Sequence, residues 1–431
     1  MQYIGIAVFT PKSVKRNVID MKRKCNIVAD GPAEFSAALH MPPENRSERD
    51  GKYVPLRACP ICKQRSVTVL GRLTYALFDD LEFPGAKTLV CCDGCGMMYD
   101  DVAFTEEQLQ KYYRRNEHYA VYSDGGNGGL SADNMDRYDR IIDRLRPPLE
   151  GMILDVGCGQ GGFAARCVRR GFSAAGIEPS QKSRDAGASA GIEVYPSIEK
   201  FAAGHPDAKI GAIVLSHIME HLMNPLRMLK ELARHAPDAL VYMEVPDAAS
   251  YLCPNSIRWH EMYFEHLNHF CKESLSNLAE QSRIEVLNAE AVSFSRNRAD
   301  NICISLIGRF SENLNLQTRH PETVRGPRCI LPPLPHCDLP PDDGPIALWG
   351  ISQYAMLLMG SLPQLTKVVR MFDMSPAKIG RKIRGIAVED PKEMATLAEE
   401  TALVIPYSRY SMQMRAEIER SGIFMGRIIQ I

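Results

Sequence analysis

Ile153-Leu154-Asp155-Val156-Gly157-Cys158-Gly159-Gln160-Gly161-Gly162-Phe163 decides the fold of this 431-residue chain. The apolar run predicts a buried strand over Ile153 to Val156, the glycines a turn, and the following residues a helix to about Arg170. A second strand, Ser173 to Ile177, ends in Glu178-Pro179-Ser180. This is a βαβ unit with an acidic residue at the tip of its second strand. Glycines let backbone approach a ligand closely, and a helix N-terminus offers free N–H groups. Glu178 is placed to take both hydroxyls of a ribose.

Two ligands fit such a unit. Gly157, Gly159 and Gly162 match the dinucleotide pattern G-x-G-x-x-G. Asp155, Gly157, Gly159 and Gly161 match D-x-G-x-G-x-G, which resembles the first motif of class I S-adenosylmethionine-dependent methyltransferases. A dinucleotide presents a pyrophosphate, whereas S-adenosylmethionine presents an ammonium and a sulfonium. An acidic Asp155 at the strand end suits the cations. The expected cofactor-binding residues are Asp155, Gly157, Gly159, Gly161, Glu178, Pro179 and Ser216. A dinucleotide-dependent oxidoreductase stands as an alternative.

Length suggests about two to four domains. The net charge of −1 argues for neither nucleic acid nor an anionic membrane as a general partner. No apolar run is long enough to span a bilayer. Four of the thirteen cysteines form two C-x-x-C pairs and the rest are scattered, a pattern that suits metal binding and free thiols in a reducing cytoplasm.

Residues 1–55 read as a short strand, Ile4 to Phe9, and a basic arm that is an ordinary solvated face. Residues 56–103 carry Cys59-Pro60-Ile61-Cys62 and Cys92-Asp93-Gly94-Cys95 around candidate strands. Four thiolates at this spacing predict a tetrahedral structural zinc site, with Gly94 allowing the tight turn. So small a module buries little core, so the metal is expected to hold it together.

Residues 104–150 are expected to be a helical lid or linker. Thr105-Glu106-Glu107-Gln108 starts a helix, followed by Leu109, Tyr112 and Tyr113. A glycine-rich turn after Tyr119 and Tyr122 reads equally as a lid or a linker. Residues 151–311 form the catalytic α/β domain. Its strand ends bring Asp155, Glu178, Ser216, His217, Glu244 and Asp247 to one edge. A second cluster runs from Trp259 through Tyr263-Phe264-Glu265-His266. A proline-rich linker, 312–344, leads to a smaller α/β domain, 345–431. Its turn Gly350-Ile351-Ser352 keeps one glycine, which argues against a dinucleotide there.

The order of zinc knuckles, glycine loop, His-Ile-Met-Glu-His-Leu, Glu-Val-Pro-Asp, Tyr-Phe-Glu-His and a Trp-Gly α/β domain resembles the zinc-containing C-methyltransferases of nucleotide-linked deoxysugars. The resemblance covers about residues 56–431. It implies a class I methyltransferase sheet, S-adenosylmethionine, structural zinc and methyl transfer to a carbon beside a sugar ketone. By motif it implies Tyr263, Glu265, His266 and His217 around the substrate, and an aromatic residue of the lid, Tyr119 or Tyr122. The N-terminal segment has no counterpart, and the lid differs from the serine-rich version of that family.

Carbon methylation needs a base at the C–H and a donor for the developing oxyanion. His266 is the expected base, aided by Glu265, with His217 or Tyr263 as the donor. The expected partner is a small molecule, a nucleotide sugar, with neither nucleic acid nor membrane, in a cytoplasmic monomer or homodimer. Methylation of oxygen or nitrogen on another metabolite, or of a macromolecule, are the other readings.

Overall fold

The computed structural model describes residues 48–49, 52–115, 132–145, 149–252, 262–296, 299–311, 344–398, 400–408, 411–424 and 426–430. The expected strand Ile4 to Phe9, the basic arm, Tyr119, Tyr122, Trp259 and the proline-rich stretch up to 343 lie outside them. Ser47–Ile431 is one compact unit containing three principal sheets.

The first sheet begins with β1 (Val67–Thr74), β2 (Ala86–Cys92) and β3 (Met98–Asp101), paired in antiparallel order. Helix α1 (Glu106–Arg115) follows. A reciprocal cap starts it: Gln108 N donates to Thr105 Oγ1 (3.2 Å) and Thr105 N to Gln108 Oε1 (2.8 Å).

Helix α2 (Ala132–Leu145) leads to the central sheet. Next come β4 (Met152–Val156), α3 (Gly162–Arg169), β5 (Ala174–Ile177), α4 (Gln181–Ser189), β6 (Val194–Tyr195), α5 (Ile198–Gly204) and β7 (Ile210–Ser216). Then follow α6 (Pro225–His235), β8 (Leu240–Pro246), the short β9 (Asn268–His269), α7 (Lys272–Gln281), β10 (Ile284–Arg296) and β11 (Ala299–Phe310). The seven strands lie in the order β6-β5-β4-β7-β8-β11-β10. The five from β6 to β8 are parallel, and β11 runs antiparallel to both neighbours.

Local chemistry explains these elements. Strands β4, β7 and β8 are apolar because helices cover both faces. Ser180 and Ser197 cap α4 and α5 by accepting from Ser183 N and Lys200 N. Pro225 opens α6, which buries Leu226, Leu229 and Leu232 on one stripe. Each contributes about 2 kcal/mol by leaving water.

The third sheet is built from β12 (Ile346–Trp349), β13 (Val368–Phe372), β14 (Lys382–Ile383), β15 (Ile386–Glu389), β16 (Ala402–Ile405) and β17 (Ile428–Gln430). Its order is β14-β15-β13-β12-β16-β17, parallel except for the β14–β15 hairpin. Helices α8 (Gln353–Ser361) and α9 (Ser411–Ser421) flank it. At the tip of β13, Asp373 accepts from Ile351 N, Ser375 N and Lys378 Nζ.

The first sheet is completed from a distance: β9 pairs with β3. Its other side shares an apolar core with the third sheet, where Leu73, Tyr75 and Phe78 pack with Leu348, Tyr354 and Leu358. The cysteine-bearing segment thus has more core than its own length would give it.

Candidate active site

The glycine loop lies after β4, and Gly157, Gly159 and Gly161 all have positive φ. A side chain on Gly157 would collide with Ile218, whose Cδ1 lies 2.0 Å from where a Cβ would stand. Among the described residues, nothing stands within 4 Å of the corresponding point on Gly159, so that backbone borders open space. Glu178 accepts from Gly159 N (3.1 Å) and Ser180 N (2.9 Å). Burial raises its pKa, and those two N–H groups partly counter the rise. Asp155 is buried, and burial pushes it up to about 7, against the pull of Arg137 and with a contribution from Glu178. A buried carboxylate so destabilised is suited to a cationic partner. Pro179 O accepts from Arg184.

The turn after β7 bears His217, Ile218 and a single 3-10 turn, Met219–His221. His217 holds a left-handed φ of 58°, an uncommon conformation for a residue other than glycine. Its N–H donates to Glu244 O (2.8 Å). Its Nδ1 stands 3.2 Å from Glu220 Oε1, and its Nε2 lies 3.7 Å from Glu244 Oε1. Glu244 is fully buried and receives Arg137 Nε (2.8 Å), Arg140 (2.7 Å) and Tyr242 Oη (2.7 Å). Burial would raise its pKa, but Arg137, His217 and Arg140 outweigh it and hold it at about 2. Ser216 Oγ accepts from the Arg137 guanidinium.

The third part is the loop Met262–Leu267. Tyr263 and His266 meet edge to face with centroids 4.7 Å apart, and His266 meets His221 at 4.8 Å. His266 and Glu265 are buried. Burial, then the charges of His221 and His269, push the His266 imidazole well below its ordinary value, so it is neutral near pH 7. The structure brings His217, Tyr263, Glu265 and His266 into one neighbourhood with His221, and Ile218 joins that neighbourhood to the glycine loop.

Several partners have no motif in the sequence. Tyr112 Oη donates to Glu265 Oε1, and Tyr113 Oη lies 3.1 Å from His221 Nδ1. Their adjacent positions on α1 looked merely aromatic. Arg137 and Arg140 sit one turn apart on α2, a spacing that does place two guanidinium groups on one helix face.

The Sγ atoms of Cys59, Cys62, Cys92 and Cys95 all lie within 4.8 Å of one another. Cys59 to Cys95 is 3.5 Å, and Cys62 to Cys92 is 3.4 Å. Sulfurs around tetrahedral zinc sit about 3.8 Å apart, so this donor set fits zinc with little movement. The turn chemistry differs from the expectation for Gly94, which does not have positive φ. The left-handed residues are Lys63 and Gly96, each directly after the second cysteine of a pair. Gly94 is instead where Gln64 approaches, its Oε1 being 2.0 Å from where a Cβ would stand.

The strand order, the reversed seventh strand and the glycine crossover define a class I S-adenosylmethionine-dependent methyltransferase fold. Residues 131–288 match the family described as a methyltransferase domain. The chain is 32% identical over 83 residues to an uncharacterized methyltransferase of Mycobacterium sp. (strain KMS), covering 19% of this chain and 33% of that protein. The match to the protein of strain MCS has the same extent. The chain therefore spans about a third of the length of these curated relatives. Among solved structures, it is similar to magnesium protoporphyrin IX methyltransferase from Synechocystis PCC 6803 with bound SAH, at 11% identity and TM-score 0.36, covering 48% of this chain and 100% of that one. A SAM-dependent methyltransferase from Archaeoglobus fulgidus gives 15% identity and TM-score 0.34, over 44% of this chain and 99% of that one. No described helix is long and apolar enough to cross a membrane.

Proposed function

We propose that the protein is an S-adenosylmethionine-dependent methyltransferase that methylates a carbon beside a ketone of a nucleotide-linked deoxysugar, through an enolate. The observation that carries this reading is Ile218, packed on Gly157 of the cofactor loop and flanked in sequence by His217 and the Glu220-His221 turn. It joins the glycine loop, with its acidic neighbours Asp155 and Glu178, to a cluster of imidazoles.

Asp155, the backbone of Gly157, Gly159 and Gly161, and Glu178 are the residues that would hold the cofactor. Bound S-adenosylmethionine supplies an electrophilic methyl group on a sulfonium. Four cysteines would hold a structural zinc. His266, neutral and buried, is suited to accept the proton from the substrate carbon. Glu265 fixes one face of the loop through Tyr112. Tyr263, or His217 when its Nε2 also carries a proton, donates to the enolate oxygen, and methyl transfer is then a matter of alignment.

The test is proton exchange. In deuterated water, the C–H beside the ketone of a nucleotide-linked keto-deoxysugar should acquire deuterium on the enzyme. Methyl transfer to oxygen or nitrogen without exchange at carbon would replace this proposal with a different methyltransferase chemistry.

A further inference from the structure

Glu220 is 1% exposed, and neither of its carboxylate oxygens accepts a hydrogen bond among the described residues. A buried carboxylate in that condition is costly unless a cation or an N–H can turn to it. Two imidazoles are in reach of Oε1: His217 Nδ1 at 3.2 Å and His221 Nε2 at 4.0 Å. His221 is committed on its other side, with Nδ1 against Tyr113 Oη. His217 is the nearer ring and the one whose backbone is held in the left-handed region.

The backbone that carries the carboxylate is pinned. Leu267 N donates to Glu220 O (2.7 Å), and Asn268 Nδ2 donates to Met219 O (2.8 Å) and Leu222 O (2.7 Å). Other described groups facing the pair include Glu244 with its two arginines, Cys303 Sγ at 3.9 Å from His217 Nε2, and the neighbours His266 and Tyr113. Glu244 is already saturated by Arg137, Arg140 and Tyr242, which leaves Glu220 as the carboxylate able to choose the proton position on His217.

We infer that Glu220 is a positioning residue: its carboxylate accepts the Nδ1–H of His217, so that Nε2 is the nitrogen that gains or loses a proton. The same logic orients the histidine of serine hydrolases, where replacing the buried carboxylate by its amide preserves geometry and leaves the wrong tautomer. In Glu220→Gln the carboxamide N–H₂ can donate to Nδ1 and move the ring proton to Nε2. The tautomer assignment stands apart from the carbon-methylation reading, although the consequence for proton transfer rests on it.

The experiment uses the full zinc-loaded chain with ¹⁵N-labelled imidazoles. At alkaline pH, the His217 ring of the wild-type protein should carry its proton on Nδ1. Glu220→Gln should reverse the tautomer ratio by about tenfold or more. Calorimetry with S-adenosylmethionine should give the same affinity for both proteins within about twofold, since Glu220 touches His217 and not the nucleoside residues. A wild-type ring protonated on Nε2 overturns the proposal even if the variant fails to fold. An unchanged tautomer in a folded Glu220→Gln protein overturns it too. Loss of S-adenosylmethionine binding by the wild type itself would remove the cofactor proposal and leave the tautomer result standing.

Discussion

Lys87 Nζ lies 2.5 Å from Asp100 Oδ2, with both side chains fully buried between the first sheet and the Tyr263–His266 loop. The same ammonium donates to Tyr263 O (2.7 Å) and His266 O (3.2 Å). His269 Nε2 is also 3.3 Å from Asp100 Oδ2. A cation from β2 therefore holds the backbone on which the candidate base stands. Burial lowers the pKa of Lys87, a fall that Asp100 partly offsets. Burial alone would raise Asp100, but Lys87 and His269 outweigh it and hold the carboxyl below its ordinary value.

Lys87→Met should destabilise the protein by about 3–5 kcal/mol, because it leaves Asp100 buried without its cation. Urea unfolding followed by fluorescence measures this. Asp100 has a depressed folded pKa, so its stabilisation is present above the ordinary carboxyl value and is lost as pH falls through the folded value. Lys87→Met should therefore lose less stability on acidification than the wild type. Equal stability of the two proteins at neutral pH would show that the pair does not anchor the loop.

Cofactor affinity should depend on pH through Asp155. Its pKa, pushed up to about 7 mainly by burial, means that the carboxylate able to hold a cation disappears as pH falls below that value. Calorimetry should show S-adenosylmethionine binding weakening by up to about tenfold per pH unit below the transition. Asp155→Asn should bind weakly across the range and lose the transition. A flat profile in the wild type would exclude Asp155 as the cation's partner.

Glu178 and His266 should separate binding from chemistry. Glu178→Ala should weaken S-adenosylmethionine binding by about 1–3 kcal/mol with little change in the fold, from loss of contacts to ribose. His266→Ala should abolish methylation while cofactor affinity stays nearly intact. An active His266→Ala protein removes that residue as the base, whatever the affinity shows.

Metal removal should reach beyond the cysteines. One zinc per chain is expected by elemental analysis. Chelation, or Cys62→Ser, should lower the thermal midpoint and loosen the first sheet, since β2 and β3 connect the thiolates to Lys87 and Asp100. Hydrogen exchange at Leu267 and Asn268 reads the effect directly. Unchanged protection there after verified zinc loss would confine the metal's role to its own turns.

Much of this was legible in the chain. The apolar run to Val156, the glycines and Glu178 placed the crossover, because a buried parallel strand and a tight turn leave strong local patterns. The cysteine spacing located four sulfurs that do converge. Helix α6 was expected over Pro225 to His235, and those are its observed bounds, because Pro225 and the leucine stripe mark it locally. Strand β9 has only two residues and no pattern of its own, so its pairing with β3 could not be read.

The sequence by itself determined which residue types lie on each strand end and which turns could form, since those follow from periodicity and backbone chemistry over a few residues. Only the tertiary structure decided that Lys87 holds the Tyr263–His266 loop, that Tyr112 reaches Glu265, and that Glu220 is sealed beside His217. Alone, a lysine in a half-buried strand or a tyrosine on a helix resembles any other. Its role arises when distant segments exclude water around it and leave a polar atom one partner to find.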